Sequence, residues 1–248
     1  MSDPQTDPAR FYRPALLGMG VVLLAVLVAL SGPLGSRVGV WDYDAAVQLM
    51  TWAAWGFVAG ALLCLYSLFA TRPGTRRRGF VLSLIGVLIT APTLGLLYYW
   101  QDAKRSYPPI QDISTDPHNP PEFWSAPNSR VYDTVTGSAY QMEFYPDIEP
   151  LYLKVPPARA YALALQVVRE KGWELQEDNP EALHLEATET TFWFGFSDDV
   201  VIHITPTDDG GSRVDMRSAS RFGSGGDGGT NARRVRAFLE RLGKLAGA

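Results

Sequence analysis

Three long apolar runs occupy the first hundred residues of the chain, and beyond them apolar and polar positions are mixed. The runs extend over residues 14–32, 46–70 and 79–100, and none of them contains Asp, Glu, Lys or Arg. Each run is long enough to cross a bilayer core of about 30 Å as a helix. The pattern therefore predicts an α-helical membrane anchor, with three transmembrane helices, within residues 1–105.

The first run has a second interpretation, because it resembles the apolar part of a cleaved signal peptide. The residues "ALS" before Gly32 have the small side chains that a cleavage site needs. The run is long for a signal peptide and begins well inside the chain, which favours a retained span.

A proline-rich stretch follows the third run. "SYPPIQDISTDPHNPPEFW" has a Pro-Pro pair near each end and no helical period, which is typical of an extended, fairly stiff segment. The residues that follow it have scattered aromatics and weak periodicity. We interpret residues 106–150 as an extended linker and an irregular segment.

Clear secondary-structure patterns return at residue 151. Helices are predicted for "PPARAYALALQVVREKG" and from Asn231 onward, where apolar residues recur at helical spacing. Strands are predicted at "LYLKV", "WELQE", "ALHLEAT", "TFWFGF", "DVVIHITPT" and "SRVDMRS". The order predicts an α+β domain over residues 151–248, an antiparallel sheet with helices packed on one face.

The basic residues near the apolar runs predict the orientation of the anchor. Arg10 and Arg13 precede the first run, and four arginines lie between the second and third runs, whereas the loop after the first run has only Arg37. By the positive-inside rule, the N-terminus is cytoplasmic and the domain after the third run lies outside, periplasmic in a bacterial inner membrane. Gly56 and Gly60, in the second run, allow close packing within the bundle or between copies.

Composition excludes several classes of protein. The net charge of −4 argues against nucleic-acid binding, and the single cysteine, Cys64, lies inside the second apolar run. The domain after residue 150 therefore has no disulfide framework, thiolate metal site or cysteine nucleophile. No phosphate-binding or dinucleotide-binding glycine motif and no nucleophile elbow is present, and we expect no cofactor and no metal.

Several segments of the chain resemble a known family when they are taken together and in order. The segments are "IQDISTDPHNPPEF", "YPDIEPLYL", "GWEL", "FSDDVVIHI", "VDMRSASRFG" and "TNARRVRAFLERL". They are similar to the family catalogued as domain of unknown function 1499, over about residues 107–242. The resemblance implies a bacterial protein, in some members preceded by membrane spans, and it implies no activity. His203 stands where an arginine is usual in that family.

Alternation along the strands groups four titratable residues on one side of the sheet. His184, Glu186, His203 and Asp215 all point away from the predicted core face. They would approach one another if their strands are neighbours, which leaves a zinc or acid–base site open. A solvated outer face is the more common outcome for an antiparallel sheet, and we expect that outcome for this chain.

The glycine-rich turn before the last helix, "SRFGSGGDGGTNARRV", is either a phosphate cradle or a joint. The N-terminal amides of a helix can bind an anion, and basic residues surround the N-terminus of this helix. However, an acidic residue lies where the anion would bind. The candidates for ligand or anion binding are Arg217, Arg221, Asp227, Asn231 and Arg234. We expect Asp198 and Asp199 to form structural ion pairs, one of them with Arg217 or Arg221, and Thr230 or Asn231 to cap the helix.

These observations favour a membrane-anchored, non-enzymatic protein whose outer domain binds a protein partner or small ligand at the membrane surface. It would be an accessory subunit of a membrane complex, with the bilayer and a membrane protein as its partners. Two alternatives remain: a hydrolase that uses His184, His203 and Asp215, and a lipid-handling domain whose pocket is lined by residues 192–194.

Overall fold

A computed structural model of the chain describes residues 11–223 and 225–247. The chain divides into two compact units, and the division falls between Asp102 and Ala103. The first unit is helical, and the second combines a sheet with helices. This agrees with the predicted fold class.

The first unit contains three long helices. These are α1 (Arg13–Arg37), α2 (Tyr43–Ala70) and α3 (Phe80–Lys104). All three are long and apolar enough to span a membrane. The helices extend a few residues beyond the apolar runs, because their polar ends continue the same backbone hydrogen bonding.

Two glycines of α2 face α1. A Cβ atom at Gly60 would lie 2.7 Å from Val22 Cγ2, and one at Gly56 would lie 2.9 Å from Ala25 Cβ. Glycine is required at both positions because any larger residue would push the helices apart. The small-residue pair therefore packs within the bundle.

The second unit is built on one antiparallel sheet. Its strands are β1 (Asp112–Ser114), β2 (Leu151–Leu153), β3 (Glu174–Asn179), β4 (His184–Thr190), β5 (Ser197–Pro206) and β6 (Ser212–Ser220). Its helices are α4 (Thr136–Phe144), α5 (Pro157–Glu170) and α6 (Thr230–Ala246). The strand order is β1-β6-β5-β4-β3, and β2 pairs with the same edge of β6 as β1 does.

One face of the sheet packs against α5 and α6. Ile202 and Met216, which are neighbours in register, are fully buried there with Phe238 and Leu242 of α6. Trp173 stacks on Phe238, with ring centroids 5.9 Å apart. Burial of each such side chain contributes about 1.5–3 kcal/mol, so this face is the main apolar core.

The opposite face of the sheet is also covered, by residues 115–135, which we call the cover segment. His184 and Glu186 are 1% and 0% exposed, and Asp215 is 7% exposed. The expectation of a solvated outer face is therefore wrong. The cover segment supplies its own backbone donors to this face, so polar side chains can be buried there with partners.

Residues 106–150 lie within the second unit, where the sequence pattern indicated a linker. They contribute β1, the cover segment and α4. β1 is only three residues long, and it is held by pairing of Asp112–Ser114 with Arg217–Ala219 of β6. Gln141 of α4 fixes the end of β1, because its side chain accepts from Ser114 N at 2.9 Å.

Residues 191–196, "TFWFGF", form a loop between β4 and β5, and we call them the aromatic loop. The predicted strand at this position is wrong. Gly195 has a φ of +67° and its N–H donates to Thr191 O at 3.0 Å, so the chain turns back on itself. The predicted hairpin turn between β5 and β6 is present, since Thr207 N donates to Gly211 O at 3.1 Å.

Candidate functional site

The start of α6 is closed by the carboxylate of Asp227. Its Oδ1 accepts from Gly229 N at 2.8 Å, and its Oδ2 accepts from Asn231 N at 2.6 Å. Gly229 is the N-cap residue and has a φ of +74°. The expectation that Thr230 or Asn231 caps the helix is wrong, because both lie inside its first turn. An acid within the turn thus occupies the position where an external anion would bind.

Each arginine proposed for anion binding is paired with a carboxylate. Arg221 Nη2 lies 2.6 Å from Asp199 Oδ1, and its Nε lies 3.0 Å from Asp199 Oδ2, which is a bidentate pair. Arg217 makes a second bidentate pair with Asp112, at 2.9 and 2.7 Å. A bidentate pair engages two of the five N–H donors and neutralises the charge of the guanidinium, which weakens its attraction for an external anion. Arg217 also donates to Pro121 O and Arg130 O.

Arg234 is the centre of a buried network at the same turn. Its Nη2 donates to Asp198 Oδ2 at 2.6 Å and its Nη1 to Ser218 Oγ at 3.0 Å, and it also donates to Glu189. The Arg234 side chain is only 4% exposed. A buried arginine requires such partners, because an unpaired charge in this position would be strongly destabilising.

Asn231 connects this network to Gln111, the residue that precedes the first strand of the unit. Its Nδ2 donates to Gln111 O and to Ser220 Oγ, both at 3.0 Å, and its Oδ1 accepts from Ser218 Oγ at 2.6 Å. The residue is fully buried. Every polar atom of the side chain is thus used within the domain.

The side chains of Asp198 and Asp199 lie on opposite faces of the sheet. Asp198 bonds to Arg234 on the face that carries α6, whereas Asp199 bonds to Arg221 and accepts from Thr188 Oγ1 at 2.7 Å on the covered face. Adjacent residues of a strand point to opposite sides, so the two carboxylates do not share one ligand.

The four titratable residues on the covered face lie close together. His184 is directly opposite His203 in register, and His203 is directly opposite Asp215. The ring centroids of the two histidines are 5.8 Å apart. No group of three or more His, Cys, Asp or Glu in the described part of the chain is arranged to hold a metal ion.

Glu186 is held by three consecutive backbone amides of the cover segment. Ser125 N and Ala126 N donate to its Oε2, at 3.0 and 2.6 Å, and Trp124 N donates to Oε1. His184 Nε2 lies 2.8 Å from Oε1. Burial raises the pKa of Glu186, but the hydrogen bonds from His184 and the amides outweigh it, so its pKa lies below the usual value.

Trp124 closes this part of the face. Its ring stacks on His184, with centroids 3.6 Å apart and planes 5° from parallel. His184 Nδ1 and His203 Nδ1 are both buried without a hydrogen-bond partner among the described residues. Burial, and then the neighbouring His184, lower the pKa of His203, against the opposing effect of Asp215. A substrate would have to displace the cover segment to reach His184.

A cleft of about 270 Å³ lies where the cover segment meets the glycine-rich turn. Its walls include Gln111, Asp112, Arg130, Val131, Tyr132 and Gly225. Arg130 is committed to backbone carbonyls, because Nε donates to Ser220 O at 3.0 Å and Nη2 to Gly223 O at 3.3 Å. The cleft therefore combines an apolar rim with few free polar groups.

The sequence pattern did not identify Asp112, Trp124 or Arg130 as parts of this arrangement. Each lies in the proline-rich stretch or just beyond it, where no periodicity indicates a buried position. A carboxylate in a stretch with no helical period gives no sign that its partner is an arginine of the last strand.

Together these features define the class of protein, an α+β domain with internally paired charges that follows three candidate membrane spans. The chain belongs to the family described as "Protein of unknown function (DUF1499)", whose sequence profile matches residues 112–242. The matched range begins at β1 and includes the cover segment, whereas the spans lie outside it. No match is found among curated proteins.

Proposed function

We propose that this protein is a membrane-anchored, non-enzymatic binding protein whose second unit takes a protein partner at the membrane surface, as an accessory subunit of a membrane complex. The cores of its three helices contain no Asp, Glu, Lys or Arg, which supports an anchor rather than a transport path. The charged side chains near the glycine-rich turn are bonded to one another, which argues against their use as catalytic groups.

The observation that carries the proposal is a fixed apolar rim beside the cleft. Val131 is 89% exposed and Val135 is 78% exposed. Asp133, between them, accepts from Val135 N and Thr136 N at 3.0 and 2.9 Å, so the turn that presents them is held in place. A partner that covered these two side chains would remove apolar surface from water without having to order the turn, which supports a contact surface here.

The cleft beside this rim supports an alternative to a protein partner, in which the second unit binds a small ligand. Its volume of about 270 Å³ admits a molecule of modest size. Asp112 and Arg130 line it, but both are engaged within the domain. A ligand would therefore be recognised chiefly by shape, and we favour the protein partner.

Photocrosslinking in native membranes tests the proposal. A photoreactive amino acid in place of Val131 should yield one discrete protein adduct, because a docked partner covers that position. The matched control is the same substitution at Asp208, an exposed residue of the β5–β6 turn. Labelling of many proteins at both positions, or of none at Val131, contradicts the proposal.

The orientation is part of the proposal and has its own test. The four arginines of residues 72–78 support a cytoplasmic loop, and an odd number of spans then puts the second unit on the outer, periplasmic side. A reporter that is active only outside the cytoplasm should be active when fused after Ala248 and inactive in the arginine loop. The reverse pattern would overturn the orientation.

A further inference from the structure

The aromatic loop presents large apolar side chains to solvent. Phe192 is 75% exposed and Trp193 is 68% exposed, and their rings meet edge to face at 5.5 Å. Phe222, just beyond β6, is 49% exposed. The run therefore does not line an internal pocket, as the lipid-handling alternative required.

The loop is fixed in this conformation from within. Thr191 N donates to Phe196 O at 2.8 Å, and Phe196 N donates to Thr191 Oγ1 at 2.9 Å. Phe194 and Phe196 stack at 4.8 Å and form the base from which the other two rings project. Aromatic side chains that a folded loop holds exposed mark a surface at which a protein or a membrane binds.

The chain enters the second unit at the same end of the sheet as the aromatic loop. Thr190 pairs with Ser197 at that end, and Ser220 N donates to Gln111 O one residue before β1. Only residues 105–111 separate the last residue of α3, Lys104, from β1. At most about 30 Å of extended chain therefore joins β1 to the third candidate span.

The charges behind the loop are neutralised in pairs. Asp199 is bonded to Arg221, and Asp198 to Arg234. The loop itself contains no charged residue. Bringing it to a less polar environment would therefore desolvate no unpaired charge, and Trp and Phe are the residues that favour the membrane–water interface.

We propose that the aromatic loop inserts Phe192 and Trp193 into the headgroup region of the bilayer that α1, α2 and α3 cross. The occupant of this surface is lipid, because the loop is uncharged, carries the aromatic residues that membrane interfaces favour, and is tethered by a short segment to three candidate spans. The proposal rests on membrane spanning but not on the orientation or on a protein partner. It can therefore fail while the proposed function stands, and the reverse also holds.

The test uses the full chain in nanodiscs that contain only phosphatidylcholine. Cys64 is the only cysteine, so a Cys64→Ser background accepts a single new label. Thr190→Cys, an exposed position at the base of the loop, carries an environment-sensitive fluorophore and leaves both aromatics in place. The control label is Asp208→Cys, at the far end of β5, about 33 Å away along the ten-residue strand.

The label at residue 190 should be quenched by doxyl lipid and be about twofold less accessible to aqueous iodide than the label at residue 208. Adding Phe192→Ser and Trp193→Ser should restore iodide access at residue 190 to the control value. Because the loop is uncharged, high salt should change neither result. Equal iodide access at the two positions overturns the proposal, and so does shielding that occurs only in native membranes, which would assign the loop to a protein.

Discussion

At the scale of single residues, Arg234 shows how the second unit uses its charges. Its side chain is 4% exposed and bonds to Asp198 and Glu189 on two strands. Such a pair gives little net stability compared with a packed apolar pair, but breaking it leaves a carboxylate buried alone. Arg234 thus joins α6 to both β4 and β5.

Replacing Arg234 should cost far more than replacing its neighbour Arg236. Arg234→Ala leaves Asp198 without its guanidinium partner, and we expect a loss of about 3–5 kcal/mol in the free energy of unfolding. Arg236→Ala breaks a pair with Asp147 whose side chains are 40% and 57% exposed, and we expect a loss of at most about 1 kcal/mol.

Urea denaturation of the purified chain, followed by tryptophan fluorescence, measures both values. The two variants remove the same side chain from the same helix, so the change in helix propensity is matched. Equal losses in the free energy of unfolding would show that the Arg234 network contributes no more to stability than an exposed ion pair does.

The sequence predicts which side chains share a face of the sheet, because that follows from alternation along each strand. Alternation placed His184, Glu186, His203 and Asp215 on one face, and register confirms that arrangement. The sequence did not predict that the cover segment lies over this face. Backbone amides of residues 124–126 bind Glu186, and an amide carries no sequence signal.

At the scale of elements, the long helices and central strands were predictable because each repeats its pattern over many residues. α5, α6, β5 and β6 all occur where the periodicity indicated. β1 is too short to show a period, and its partner β6 lies about a hundred positions later. The aromatic loop was misread because aromatic residues favour strands, whereas Gly195 and the Thr191 hydroxyl set the turn.

The cap of α6 gives the element-scale prediction. Asp227→Ala removes the acceptor of two free amides, and we expect a loss of about 1 kcal/mol in stability. Thr230→Ala, in the same turn, should have a smaller effect because Thr230 is not the cap. Thermal unfolding with and without phosphate provides the measurement.

The same measurement tests the remaining anion-binding interpretation of the glycine-rich turn. With Asp227 in place, phosphate should leave the melting temperature of the wild-type chain unchanged, since the carboxylate already occupies the amides. A marked rise with phosphate that Arg221→Ala abolishes would show instead that the turn is a phosphate cradle.

At the scale of the whole molecule, the segment before residue 151 is part of the second unit. The predicted boundary followed a change in composition, and proline-rich composition indicates extension but not what the extended chain touches. In the folded unit this segment contacts the sheet: Asn128 Nδ2 donates to Ala219 O at 3.2 Å, and Arg217 lies over the ring of Phe123 at 4.9 Å.

Two fragments should differ sharply in their ability to fold. A fragment of residues 103–248 contains the whole compact unit, and we expect a cooperative thermal transition and near-ultraviolet circular dichroism. A fragment of residues 151–248 loses Asp112 and the cover segment, which leaves Arg217 without its carboxylate partner and Glu186 without its three backbone donors. We expect it to lack a cooperative transition, and a stable fold of the shorter fragment would contradict a domain boundary at Ala103.

The pairing of β1 with β6 also sets the order of events during synthesis. Asp112 and its partner Arg217 are 105 positions apart, and Gln111 is bonded by Asn231 from the last helix. At about 5–20 residues per second, a ribosome needs about 5–20 s to proceed from one partner to the other. Throughout that interval the apolar helices and β1 are already made, while α6 and the interior strand β6, which lies between β1 and β5, are still missing. The nascent unit therefore cannot close until residues 212–246 have been made, and until then its apolar core stays accessible to proteases.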